Sequence, residues 1–507
     1  MKWSQSLRRV IILNNFDTNI QRSNNLVIEG RAFVNGHYVN AQQDATFACY
    51  SPIDGRLLQH VTQSSTADVE QAVIAARLCF ETGNWSRSSP HERKKILLAW
   101  AALLQVHFEE LCLLETLDSG KPIQDVITCD LPLSIECLTW YAEAIDKFNG
   151  EYIPTDSDYL ALVTREPTGV VAAIVPWNYP LLMAMWKIAP AIAVGNSVIL
   201  KPSEKAPLTA IRIAQLAHQA GLPKGVFNVL PGDGKVGMWL SQHKDVDCVT
   251  FTGSGPTGRK IMHAAADSNL KRVWLELGGK TPHIILADCP DLNRASEAVA
   301  NGIFMNMGEV CNAGSRLLVH RSLQDELLTR LADLAPTFYP DNPLDPKTKM
   351  GAIIDQTHLN RILQYIEHGR KEAKLLTGGR QVHQKSGGFY IEPTIFECTN
   401  PTATIAQEEI FGPVLSVMTF DDIEEAIMLA NNTEYGLAAG LWTADTNSAH
   451  FLAKKIRAGT IWVNCFDEPS DMNFPFGGYK QSGNGRDKSL HALEKYTELK
   501  TTIFRIR

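Results

Sequence analysis

One cysteine in this chain of 507 residues and ten cysteines stands apart from the rest. Cys311 lies in Gly308-Glu309-Val310-Cys311-Asn312-Ala313-Gly314-Ser315-Arg316, where small and polar neighbours leave a thiol approachable. The others, at 49, 79, 112, 129, 137, 248, 289, 398 and 465, fall mostly in apolar runs, where a free cysteine is a small buried hydrophobe. None forms a Cys-x-x-Cys pair, and no metal site is expected. A thiolate is a strong nucleophile, so Cys311 is the leading candidate for covalent catalysis.

Gly253-Ser254-Gly255-Pro256-Thr257-Gly258 follows an apolar run and opens a helical pattern, which satisfies the dinucleotide fingerprint G-x-G-x-x-G. Amide groups at the start of that helix would face a pyrophosphate, although the same residues also make an ordinary turn. The standard form of this motif would make Glu276, 18 residues after Gly258, the acid that binds a ribose. A carboxylate beside glycines at the end of an apolar strand can also carry the raised pKa of a general base, or be simply solvated. Lys201-Pro202-Ser203-Glu204 ends another apolar run and reads equally as a surface pair or a helix start.

These residues need elements to hold them. From about 65 to 150 the apolar positions recur at helical spacing. Beyond 168 short apolar runs alternate with helical stretches, predicting buried parallel strands at 169–175, 197–200, 226–230, 248–251 and 273–277. A second series follows at 283–286, 316–319, 351–354, 414–420 and 459–463. The fold class is therefore α/β with a doubly wound parallel sheet, and a domain boundary is expected near 280. Residues 1–30, rich in Asn and Arg, read as a loosely ordered arm, and residues 501–507 alternate like a terminal strand.

Composition narrows the function. With 45% hydrophobic and 20% charged residues the chain is of the globular type, and a net charge of −7 disfavours wide nucleic-acid contact. The apolar stretch Val10-Ile11-Ile12-Leu13 is too short for a signal-peptide core or a membrane span. Unpaired cysteines suit a reducing compartment, so a cytoplasmic enzyme with a small-molecule substrate is expected, with no nucleic-acid or membrane partner.

Seven motifs in order give the chain from about 30 to 505 a resemblance to the aldehyde dehydrogenase family. They are Pro176-Trp177-Asn178-Tyr179-Pro180, Lys201-Pro202-Ser203-Glu204, Phe251-Thr252-Gly253-Ser254, Leu275-Glu276-Leu277-Gly278-Gly279-Lys280, the Cys311 segment, Glu408-Glu409-Ile410-Phe411-Gly412-Pro413 and Pro475-Phe476-Gly477-Gly478-Tyr479-Lys480. The resemblance implies a cofactor domain from 31–144 and 168–279, a catalytic domain from 280–480, and oligomerisation segments at 145–167 and 490–507. It implies that Cys311 attacks the aldehyde, that Asn178 and the Cys311 amide hold the oxyanion, and that Glu276 activates water rather than binding ribose. Lys187 joins this catalytic set. The cofactor is then NAD, with NADP an alternative. Pro176, Trp177, Lys201, Ser203, Glu204, Gly234, Gly253, Ser254, Leu277, Glu409 and Phe411 would bind it, and Glu204 would repel a 2′-phosphate. A homodimer or homotetramer is implied.

The chain departs from the family pattern at two places. Gly255 stands where a threonine is usual, and Glu309 where a glutamine is frequent; turned inward, Glu309 would oppose ionisation of the thiol. The loop from 464 to 474 and the tail from 480 to 494 are most similar to enzymes of bacterial polyamine breakdown, which oxidise γ-glutamyl-γ-aminobutyraldehyde, guanidinobutyraldehyde and related ω-aminoaldehydes. Asp467, Glu468 and Asp471 would draw a cationic tail to the entrance, with Asp130 adding a fourth acid. Tyr179 and Trp186 would offer ring faces to that cation. Broad-specificity and betaine aldehyde dehydrogenases are the alternatives within the family. A cysteine hydrolase or acyltransferase would need a positioned base and would leave Lys201, Glu204 and Glu409 without a purpose. A silent binding protein on this fold should have lost Cys311, Glu276 or Asn178, and all three are present.

Overall fold

The computed structural model describes residues 13–507; the apolar stretch at 10–12 and the start of the expected arm lie outside them. From Phe16 to Asn24 the chain is helical, not loose. Asn15 caps this helix, and the buried Asn19 amide ties it to the Leu13 and Leu344 carbonyls. The helical run is resolved into Thr66–Thr82, Pro90–Val106, Phe108–Ser119 and Leu131–Ala144. Ser65 with Asp68 and Ser89 with Glu92 form reciprocal capping boxes that start the first two. Among the described residues no single helix is long and apolar enough to cross a membrane.

One seven-stranded sheet runs in the spatial order Arg272–Glu276, Cys248–Thr252, Val170–Ile174, Ser197–Lys201, Phe227–Val229, Ala32–Val34, His37–Val39. Its first five strands are parallel, and the four of them led by Val170, Ser197, Phe227 and Cys248 are buried throughout, which is why they read as largely apolar runs. From Val170–Ile174 the chain winds outward one way through Ser197–Lys201 and then the other way through Cys248–Thr252. Strand order thus reverses between Val170–Ile174 and Cys248–Thr252, and in doubly wound sheets ligands bind at the carboxyl ends of strands at such a point.

A second seven-stranded sheet has the order Lys374–Thr377, Thr394–Glu397, Val414–Phe420, Arg316–His320, Pro282–Ile285, Ala438–Trp442, Thr460–Val463, parallel except for its first pair. The strand expected at 351–354 does not exist. That apolar run is a buried loop whose amides are spent on the Met307 sulfur, the Phe389 carbonyl and the Glu309 carboxyl. The strand Thr497–Arg505 pairs along its whole length with Tyr159–Pro167, which also pairs with Glu151–Ile153, making a three-stranded antiparallel sheet.

Candidate active site

A cavity of about 930 Å³ opens at the carboxyl ends of the two strands where the first sheet reverses. Its walls include Pro176, Trp177 and Asn178 after one strand and Thr252, Gly253 and Ser254 after the other, with Cys311 from the second sheet's side. Pro180 at the first helical position starts Pro180–Ala193 directly behind Asn178.

The Cys311 turn is held by an unusual backbone. Asn306 and Met307 have φ of 47° and 56°, and Gly308 has φ of 68° with the Gly412 carbonyl where a Cβ would be. Side chains rarely take such conformations unless their surroundings enforce them. Here the enforcement is the Glu309 carbonyl, which accepts from Asn178 Nδ2 at 2.7 Å and Asn306 Nδ2 at 3.2 Å, while Asn306 also donates to the Asn178 carbonyl. Gly279 completes the turn, since a Cβ there would lie 2.6 Å from the Cys311 carbonyl oxygen.

Cys311 is partly open to the cavity, yet its thiol pKa is pushed up by burial and by the carboxyls of Glu409, Asp467 and Glu276. Glu309, the feared inward charge, is not among the causes. Its side chain turns away to accept from the Ile354 amide, 3.7 Å from His358, and burial holds it well above the ordinary carboxyl range.

Glu276 ends its strand as expected but does not line the cavity. Its carboxyl is buried beneath Gly477 and Gly485, and neither oxygen has a hydrogen-bond partner among the described residues. Burial and the charge of Asp487 raise its pKa well above the usual value. Lys187 is likewise off the cavity wall, fully buried and bonded to Asp487 Oδ2 at 2.5 Å, and Lys495 binds the other oxygen. Burial pushes the Asp487 carboxyl up, but the two lysines outweigh it and hold it below its ordinary value.

The end of the cavity nearest the first sheet suits a dinucleotide. Helix Gly255–Ala266 begins at Ser254 with no side-chain cap, so its first amides remain available to an anion. Glu409 is bonded to the Gly279 amide at 3.1 Å, with its pKa pushed up to about 7 by burial, and it occupies the space that a Cβ on Gly278 would fill. Phe411, in a left-handed conformation at φ 60°, stands edge-on to Trp177 with ring centroids 5.4 Å apart. Leu277 lines the same end. Lys201, Ser203, Glu204 and Gly234 lie beyond the cavity lining; the Lys201 ammonium is 3.2 Å from Glu204 Oε2.

The opposite end departs from the expected cation trap. Asp130 is fully buried and bonded by Lys121 Nζ at 2.8 and 2.9 Å, so it is a structural counter-ion and not an entrance acid. Asp471 is off the lining, accepting from the Asn473 backbone and side chain. Asp467 does open onto the cavity and accepts from Asn312 at 3.1 Å, while Glu468 is paired with Arg294 at 2.9 Å. Tyr179 and Trp186 line the wall, but protein cations already approach their rings: Lys121 Nζ is 3.3 Å from the Tyr179 centroid and Lys488 Nζ 5.6 Å from that of Trp186. Phe466, Phe476 and Trp462 extend this aromatic wall.

Sequence reasoning missed Arg294 and Glu297. They share a stripe of helix Leu292–Phe304 with Ala298, Asn301 and Gly302, leading to Met305 near the Cys311 turn. The three-and-four spacing was available as a signal, but a polar stripe on a helix ordinarily faces bulk water.

Comparison with known proteins shows the family. Residues 38–502 match a family model described as the aldehyde dehydrogenase family. The chain is 51% identical to the NADP/NAD-dependent aldehyde dehydrogenase PuuC of Escherichia coli (strain K12) over 477 residues, covering 94% of this chain and 96% of that protein. It superposes on the crystal structure of γ-glutamyl-γ-aminobutyraldehyde dehydrogenase from Burkholderia cenocepacia J2315 with a TM-score of 0.96 at 59% identity, covering 97% and 100% of the two chains. The P. syringae indole-3-acetaldehyde dehydrogenase AldA, in complex with NAD+ and IAA, is similar at 55% identity and a TM-score of 0.96, covering 97% and 99%.

Proposed function

The chain belongs to the aldehyde dehydrogenase family, and we propose that it oxidises ω-aminoaldehydes to carboxylates with a nicotinamide dinucleotide, using Cys311 as nucleophile. The observation that carries this reading is the convergence of Cys311 and Asn178 on one cavity, with the Gly253–Glu409–Phe411 end on one side and the aromatic wall on the other.

In this reading the Cys311 thiol passes its proton to solvent in the cavity, the resulting thiolate bonds to the aldehyde carbon, and the carbonyl electron pair moves onto oxygen. Asn178 Nδ2 and the Cys311 amide receive that charge as donors fixed in advance. NAD, when bound, supplies the hydride acceptor that turns the thiohemiacetal into a thioester. Ser254 and the adjoining amides would hold its pyrophosphate, Glu409 and the Lys201–Glu204 pair its two riboses, and Trp177 and Phe411 its ring. The Glu204 carboxylate would disfavour a 2′-phosphate, so NAD is assigned ahead of NADP. Glu276 then takes a proton from the water that cleaves the thioester, which requires its side chain to rotate from beneath Gly477 into the cavity. Solvation there removes the burial that now keeps it protonated. Lys187 is a positioning residue that keeps Asp487 charged.

The substrate class rests on the Asp467 carboxyl in the cavity and on the likeness to the B. cenocepacia γ-glutamyl-γ-aminobutyraldehyde dehydrogenase. A second reading, an aryl-acetaldehyde, is favoured by the Trp186, Phe466, Phe476 and Trp462 wall and by the P. syringae relative. Exposed Tyr152, Leu499, Ile503 and Phe504 on the three-stranded sheet support assembly with further copies of the chain into a dimer or tetramer. Ten free thiols suit the cytoplasm. Steady-state NADH formation with amino-tailed, aryl and plain alkyl aldehydes tests the assignment: the highest kcat/KM should fall to an amino-tailed aldehyde, and a clear preference for indole-3-acetaldehyde would replace it with the second reading.

A further inference from the structure

The cavity mouth carries both signs of charge on elements that face each other. Arg294 and Glu297 stand on the stripe of helix Leu292–Phe304, and Glu468 comes from the facing loop. Arg294 Nη2 meets Glu468 Oε1 at 2.9 Å, with both side chains more than half exposed. Such an ion pair is worth little and exchanges partners readily. A bare ammonium tail would meet Arg294 as a like charge and would find Lys121 and Lys488 already placed at the Tyr179 and Trp186 rings. A tail that brings a carboxylate as well as an ammonium would instead exchange one ion pair for two.

Resting on the ω-aminoaldehyde reading of this cavity, we propose that its mouth is a subsite for a zwitterionic α-amino acid head, with Arg294 taking the carboxylate and Glu297 and Glu468 the ammonium. Arginine's planar fork matches a carboxylate with two parallel hydrogen bonds, which an aliphatic amine cannot reproduce. The span agrees. The Gly302 carbonyl accepts from the Gly314 amide at 2.9 Å, which sets Gly302 level with the Cys311 turn. Arg294 lies two helical turns away, or about 12 Å at 1.5 Å per residue. In a γ-glutamyl-γ-aminobutyraldehyde, about eight bonds separate the aldehyde carbon from the amino acid Cα, or roughly 9 Å when extended, and its carboxylate adds to that reach.

The test compares kcat/KM for three aldehydes, one with a γ-glutamyl tail, one with a bare ω-ammonium tail, and hexanal, in wild type, Arg294→Gln and Arg294→Lys. Arg294→Gln should lower the ratio of the γ-glutamyl to the bare-ammonium substrate about three- to tenfold, mainly through KM, the size of one solvent-exposed bidentate pair. Arg294→Lys should restore part of that ratio. Glu297→Gln should lower both amino-tailed substrates relative to hexanal. A ratio that stays within about twofold of wild type in Arg294→Gln overturns the subsite while leaving the aminoaldehyde reading intact. Wild-type enzyme that prefers hexanal to both amino-tailed substrates overturns that reading and the subsite together.

Discussion

Asn178 Nδ2 donates to the backbone carbonyl of Glu309 at 2.7 Å, two residues before the Cys311 thiol. One N–H of the amide is thereby committed to the turn, which aims the other and couples its position to that of Cys311. If the free N–H is an oxyanion donor, Asn178→Ala lowers kcat by about 10²–10³ with little change in NAD affinity. Asn178→Asp should do at least as much harm, because it places a carboxylate where negative charge develops. Pre-steady-state NADH formation reads this directly, and a loss below about tenfold would remove Asn178 from the role.

The thiol itself starts from an unfavourable position. Burial and the carboxyls of Glu409, Asp467 and Glu276 all raise the Cys311 pKa, so at neutral pH the free enzyme holds it protonated, and the thiolate appears only as pH rises. Alkylation by iodoacetamide should therefore accelerate with pH beyond the range of an ordinary cysteine. Asp467→Asn removes one raising charge, so it lowers the thiol pKa and speeds alkylation at a fixed pH. Glu309→Gln should shift the curve less, since that carboxyl faces Ile354 and His358. A larger shift from Glu309 than from Asp467 would contradict the geometry.

Much of this was legible in the sequence. Runs such as Val-Val-Ala-Ala-Ile at 170–174 announced buried parallel strands because both faces of such a sheet are covered. Other elements were ambiguous: the run at 351–354 is as apolar as a strand but is a loop, and Ala438–Trp442 is a strand whose Ala-Ala-Gly-Leu-Trp sequence has no β-branched residue to mark it. The types and order of Cys311, Asn178 and Glu409 marked the site, whereas side-chain direction did not show. Nothing in Leu-Glu-Leu-Gly-Gly says that Glu276 points beneath Gly477, and nothing near Asp130 says that Lys121 consumes it. Such pairings join distant segments, and spacing along the chain does not encode them.

Gly278 earns its place by space, not by backbone conformation. A Cβ at 278 would stand 2.0 Å from Glu409 Oε2, so Gly278→Ala must displace the carboxylate from the Gly279 amide. If Glu409 holds a ribose of the cofactor, the variant should bind NAD at least tenfold more weakly, at a cost of about 1.5–3 kcal/mol for the lost charge-assisted bond. Titration calorimetry with NAD checks this, and an unchanged Kd would separate Glu409 from cofactor binding.

Lys187 and Asp487 form a pair with almost no solvent exposure. Lys187→Met leaves Asp487 with Lys495 alone in a buried setting, where breaking a pair costs about 3–5 kcal/mol. Urea unfolding should show a destabilisation of that order. Loss of Lys187 also removes a positive charge that lowers the Glu276 pKa, so the acid limb of the thioester-hydrolysis profile, where this base loses its proton, should move to higher pH. Unfolding and pH profile both matching wild type would make the cluster irrelevant to stability and to Glu276.

The most direct test of the central claim is NADH production by Cys311→Ala beside wild type, using an amino-tailed aldehyde and saturating NAD. Covalent catalysis at Cys311 predicts steady NADH formation by the wild type and none by the variant, with NAD binding retained. A Cys311→Ala enzyme that still produced NADH at a rate near wild type would contradict it.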